Sequence, residues 1–240
     1  MPRADGRKVN ELRPVEMTTG FVKFAEGSVL IRCGDTVVLC NASVEERTPP
    51  HVKPGHGWVT AEYSMLPRAN RERSRRDVDK LKLSDRSAEI QRLVGRSLRA
   101  AVDLSLLGER TVTVDCDVIQ GDGGTRTASV TGGFVALALA CQKLVDEGYI
   151  GRSPIKHYVA GISAGIVDDT PMLDLQYSED SRAQVDLNCI MNELGEIIEI
   201  QGTGEGRSFT LREQQELVEL CAKGNRELIR KQKEILGNIR

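Results

Sequence analysis

The chain has 240 residues, 40% hydrophobic, 28% charged and 4% aromatic, with a formal net charge of −2. This is the composition of a soluble globular protein with room for a real core, in one large domain or two small ones. It excludes a uniformly basic nucleic-acid coat, so any such contact must come from a local patch.

The polar start, Met1 to Lys8, lacks the apolar core of a signal peptide, and the longest apolar run, Phe134 to Cys141, is too short to span a bilayer. Residues 14–47 read as β, with Phe21, Val22, Val29, Ile31, Val37 and Leu39 in short runs and Cys33-Gly34-Asp35-Thr36 as a hairpin turn. Pro49 to Gly57 is a loop and Trp58 to Tyr63 a further strand. Residues 67–80 are nearly free of apolar side chains. Ser84 then caps a helix whose stripe Ile90, Leu93, Val94, Leu98, Ala101 and Leu104 runs to Leu107-Gly108. Arg110 to Gln120 alternates as a strand.

Thr125 to Val145 is apolar nearly all round, which predicts a central, buried helix. His157–Val167 pairs with Met172–Tyr177 through Asp168 to Pro171, and Gln184–Met191 pairs with Glu196–Gln201. Thr210-Leu211-Arg212-Glu213 is a capping box that opens a last helix. Strands in runs separated by helices predict an α+β fold. Each half carries a hairpin with Asp-Thr at its turn, then more strands and a long helix, a faint internal echo. Six cysteines with no Cys-x-x-Cys pair predict buried free thiols in a reducing cytoplasm, and three histidines without ligand spacing argue against zinc.

Gly121-Asp122-Gly123-Gly124-Thr125-Arg126-Thr127 joins the strand to the central helix. Glycines before a helix let backbone N–H groups converge on an anion, and the helix dipole adds positive potential. Thr125 offers a cap or a hydroxyl, and Arg126 a planar fork matched to phosphate oxygens. The triphosphate and dinucleotide glycine patterns are both absent. The loop alone fits a capped glycine turn as well as an anion site. Arg86, in the first turn of the other long helix, adds a second fork.

Arg68 to Arg76 holds five arginines, Arg68, Arg71, Arg73, Arg75 and Arg76, against one glutamate. A solvated loop would look the same, but this is the one dense basic patch, and arginine suits a phosphate backbone. With few aromatics, stacking-based sequence reading is not expected. Asp180 and Asp186 stand six residues apart across a polar turn. If the chain folds back, they can hold one Mg²⁺ or share a proton; otherwise they are surface aspartates. Asp115 and Asp117 alternate on one strand face and are expected to pair with arginines.

Asp115-Cys116-Asp117-Val118-Ile119-Gln120 followed by that loop resembles the signature of the ribonuclease PH family. Arg3 to Arg7, Arg68 to Arg76, Leu83-Ser84-Asp85-Arg86 and the Asp180/Asp186 pair fit it in order. The resemblance covers the chain from Met1 to the last helix. It implies two βαβα halves resembling ribosomal protein S5 domain 2, within a single domain over 1–240. It implies a phosphorolytic 3′→5′ exoribonuclease, a tRNA nucleotidyltransferase. Such an enzyme trims tRNA precursors, and in some cases ribosomal RNA, with inorganic phosphate, and runs in reverse from nucleoside diphosphates.

Carried over residue by residue, phosphate falls to Arg86, Gly124, Thr125 and Arg126, and tRNA to Arg68, Arg71, Arg73 and Arg76. The catalytic or metal pair is Asp180 and Asp186, with Mg²⁺ or Mn²⁺, and Arg126 shares in catalysis. The implied assembly is a cytoplasmic homohexamer, a trimer of dimers, acting on RNA rather than DNA and away from membranes. One departure stands out: polynucleotide phosphorylase-like relatives have a lysine two residues past the second aspartate, where this chain has Asn188. An inactive RNA-binding ring subunit and a metal-dependent hydrolytic nuclease are the competing classes. The first would be expected to lose the forks or aspartates, and the second usually carries more carboxylates.

Overall fold

The computed structural model describes residues 3–76, 84–237 and 239. The first sheet contains β1 (Val15–Thr19), β2 (Gly27–Cys33), β3 (Thr36–Glu45), β4 (Trp58–Met65) and β5 (Thr111–Gln120), in the order β1-β2-β3-β5-β4. Its neighbours are antiparallel except β4 and β5, which run parallel because helix α1 (Asp85–Ala100) carries the chain across between them. Helix α2 (Thr125–Asp146) follows. The second sheet, β6 (Val159–Val167), β7 (Thr170–Leu173), β8 (Val185–Asn192) and β9 (Ile197–Thr203), is antiparallel in the order β7-β6-β8-β9. A one-turn helix, α3 (Tyr177–Asp180), interrupts it, and α4 (Leu211–Leu236) closes the chain. With each hairpin counted as one β unit, both halves run βαβα.

Local chemistry explains most boundaries. Ser84 Oγ accepts from Ser87 N at 3.1 Å at the start of α1. Thr210 and Glu213 form the reciprocal cap of α4 at 3.2 and 2.7 Å. The β2–β3 and β6–β7 hairpins turn through Gly34 and through Asp168 and Asp169, all at positive φ. Helix α2 lies between β2 and β3 on one side and β6 on the other. It is long and apolar enough to cross a membrane, yet it is mostly buried, with Phe134 and Leu137 fully enclosed. A side chain on Gly27 would overlap the Ala136 carbonyl, so β2 and α2 meet backbone to backbone. All six cysteines are free and buried, and burial pushes the Cys33 and Cys141 thiols up to about 12.

Several expectations need correction. β1 ends at Thr19, and Phe21 stands 52% exposed in the turn that follows, where Val22 N donates to Ser28 Oγ. Helix α1 stops at Ala100 because Val102 bridges to Ile155 and Asp103 N bonds Pro154 O, so Leu104 and Leu107 pack from a turn. β7 ends at Leu173 because Asp174 adopts φ 54 and redirects the chain, and Tyr177 opens α3 instead. Of the polar stretch 67–80, residues 77–80 lie outside the described residues, as do Leu83 and Met1.

Asp115 and Asp117 do not pair with arginines among the described residues. The parallel register sets Asp115 beside Glu62, and on the other flank it faces Asn41. Burial, then Glu62 and Asp117, push Asp115 up to about 6, and burial with Glu62 raises Asp117. The folded state therefore holds the Asp115 proton above the unfolded value of 3.8. Stability from this group is present at low pH, is lost as pH rises from about 4 to 6, and stays lost above. Asp115→Asn is expected to stabilise the protein by about 1–2 kcal/mol at pH 7.5, discounted for a half-buried, solvent-screened site, and by little at pH 4. Urea unfolding at the two pH values checks this; an equal gain at both would rule out carboxylate crowding as the cause.

Candidate active site

The loop after β5 is glycine-rich for steric reasons. Gly123 and Gly124 have φ 76 and 66, and a Cβ on Gly123 would lie 2.5 Å from Leu175 O. Gly124 is the N-cap of α2 and provides no capping side chain, so the first N–H groups of the helix are left to converge on whatever enters. Thr125 is therefore not the cap. Its buried hydroxyl meets Tyr63 Oη at 2.9 Å, which fixes the threonine from the β4 side.

Residues far away in sequence clamp this loop from behind. Thr36 Oγ1 donates to Gly123 O at 2.7 Å and accepts from Asp122 N at 2.9 Å. Buried Arg13 donates to Asp122 O at 2.6 Å while its guanidinium pairs with buried Asp174 at 2.7 Å. Buried Arg3 grips Glu179 of α3 at 2.8 and 2.6 Å and donates to the Leu173 and Asp174 carbonyls. Loop and α3 are thus locked to one frame.

In front of the loop lies a polar pocket of about 340 Å³. The first half of the chain supplies Arg86, Gly124, Thr125 and Arg126; the second supplies Ser163, Asp180, Asp186, Asn188 and Glu205. All the sequence-derived phosphate and acidic residues thus meet in one place. Arg126 Nη1 donates to Gln201 Oε1 at 2.9 Å and lies 3.4 Å from Glu89, while Arg86 is exposed at the start of α1. Helix α3 and the turn after it fold the chain back, so Asp180 and Asp186 share the pocket despite their spacing.

Burial, then Asp180, push the Asp186 carboxyl up to about 6, against the pull of Arg126 and of Asn188 Nδ2, which donates to it at 3.1 Å. Asp180 is raised by burial and held back by Arg86 and Arg126. Among the described residues no lysine lines the pocket, and no group of three or more His, Cys, Asp or Glu could hold a metal.

A groove of about 830 Å³ shares Arg86, Gly124, Thr125 and Asp180 with the pocket and extends to Asn70, Arg71, Arg73 and Tyr177. Arg68 and Arg76 are exposed but do not line it. Sequence reasoning missed Arg13, Thr36, Tyr63, Ser163, Gln201 and Glu205. For Ser163 a signal existed: it is the one polar side chain in β6.

Residues 11–142 match the profile described as "3′ exoribonuclease family, domain 1", and residues 157–224 match "3′ exoribonuclease family, domain 2". The chain is 52% identical over 240 residues to a ribonuclease PH of Moorella thermoacetica, covering 100% of this chain and 96% of that protein. It is 53% identical over 238 residues to a ribonuclease PH of Syntrophomonas wolfei, covering 99% and 100%. In fold it is similar to a chain of the Archaeoglobus fulgidus exosome, solved with RNA bound to the active site. The TM-score is 0.82 at 24% identity, over 95% of this chain and 92% of that one.

The Arg13–Asp174 pair generates a prediction. Asp174→Ala leaves a buried guanidinium uncompensated and is expected to cost about 3–5 kcal/mol in urea unfolding. A loss under 1 kcal/mol would mean the clamp is not a structural element.

Proposed function

The chain belongs to the 3′ exoribonuclease family, within the ribonuclease PH group, and on that premise we propose that its pocket binds inorganic phosphate as a nucleophile. The chain is a phosphate-dependent 3′→5′ exoribonuclease, a tRNA nucleotidyltransferase. The observation that carries the site reading is the meeting, in one pocket, of two arginine forks from two helix starts with two carboxylates from the other half.

The chemical problem is an anion attacking an anion. Arg86, Arg126 and the uncapped N-terminus of α2 bind the phosphate, orient it for in-line attack and spread its charge. The attacking oxygen forms a bond to the terminal phosphorus as the bond to the 3′ oxygen breaks. Nucleoside 5′-diphosphate leaves, and the shortened RNA retains a 3′ hydroxyl whose proton is supplied by the attacking hydrogen phosphate or through a carboxyl of the pair. No water has to be activated, and in reverse a diphosphate donates a nucleotide to the RNA end.

Asp180 and Asp186 are two crowded hard-oxygen donors, which suits a Mg²⁺ or Mn²⁺ that keeps several waters better than an all-protein cage. Such an ion would screen the scissile phosphate and the departing oxygen. Arg71 and Arg73, with Arg68 and Arg76 further out, bind the RNA backbone through charge. The substrates are 3′-extended tRNA precursors, with ribosomal RNA as a further one. We assign the whole of 1–240 to a single domain, working in the cytoplasm as a homohexamer, a trimer of dimers.

Two experiments test this. A 3′-extended RNA incubated with Mg²⁺ should shorten only when phosphate is added and should release diphosphates; monophosphates, or trimming without phosphate, would refute the reading. Arg126→Ala is expected to raise the KM for phosphate and to lower kcat by about 10²- to 10³-fold, in the range seen on losing a preorganised charge donor. An unaltered phosphate KM would remove Arg126 from the site.

A further inference from the structure

Ser163 sits mid-way along β6, 3% exposed, in a strand otherwise made of apolar and small residues. Its carbonyl is used by Asp174 N at 2.7 Å, but its hydroxyl has no hydrogen-bond partner among the described residues. That is an unusual state for a buried hydroxyl. The hydroxyl is aimed: Ser163 lines the pocket, and a Cβ built on Gly124 would lie 4.0 Å from its Oγ. It therefore faces the N-cap of α2 from the opposite wall. Its neighbour across the β6–β8 ladder, Asn188, is already committed to Asp186.

We propose that Ser163 is a direct ligand of the attacking phosphate, donating its hydroxyl hydrogen to an oxygen that the two arginine forks leave uncovered. This rests on the phosphate-site reading above. The arginines and the helix start approach from the first half of the chain, and a tetrahedral anion leaves oxygens facing the second half. That wall also carries Asp180 and Asp186, so a neutral donor serves the anion there without capturing a carboxylate. A hydrogen bond to a charged oxygen is one of the stronger kinds.

Ser163→Ala deletes only this oxygen. The KM for inorganic phosphate is expected to rise about tenfold, the equivalent of one charge-assisted hydrogen bond, while the KM for RNA stays within about twofold. Thermal unfolding without phosphate should be unchanged or slightly higher, since an unsatisfied buried hydroxyl is removed, and the rise in Tm produced by added phosphate should shrink. A wild-type phosphate KM together with a wild-type phosphate-induced rise in Tm would overturn the assignment. So would a fall of several degrees in the phosphate-free Tm, which would mark the hydroxyl as structural. The unfolding arm needs no turnover, so it still decides the role of Ser163 if the wild-type chain trims RNA without phosphate and the phosphorolytic reading is the part that fails.

Discussion

The buried contact between Arg13 and Asp174 is the constraint on which the candidate pocket depends. Arg13 stands just before β1, Asp174 just after β7, and the guanidinium also reaches the Asp122 carbonyl. One side chain thus ties the start of the chain, the glycine loop and the second sheet together. An ion pair out of water gains little net stability over an apolar replacement, because desolvation offsets the attraction. Its contribution here is positional: the loop cannot shift relative to α3 without exposing or orphaning a charge. Arg3 makes a second buried pair of the same kind, with Glu179 of α3.

The pocket this frame holds is divided by charge. Its cationic wall comes from two helix starts in the first half, and its acidic wall from α3 and β8 in the second. Neither half alone makes the site: the first half supplies its cations and the second its carboxylates. The arginines hold Asp180 down while burial pushes it up, so the two walls balance each other's cost.

What the sequence made legible was local. The Ser84 cap, the capping box at Thr210, the buried character of α2 and the glycine turn before it depend on neighbours a few residues apart, and each is found as expected. The central acidic pair was legible only as an alternative, because its convergence depends on a turn whose closure is set by Arg3 and Asp174. Arg13, Thr36 and Tyr63 carried no signal, since their partners lie 161, 87 and 62 residues away. The expected arginine partners of Asp115 and Asp117 failed for the same reason: strand register, not sequence proximity, decided that Glu62 would be the neighbour.

The six enclosed thiols have a practical consequence. They are spread over β2, β3, β5, α2, β8 and α4, so nearly every layer of the core contains one. A thiol reagent meets five of them only when a layer parts, and Cys33, 8% exposed, is the partial exception; thiolate formation at Cys33 and Cys141 is suppressed further. The rate of alkylation is therefore a clock for opening, and the position alkylated first names the layer that opens first.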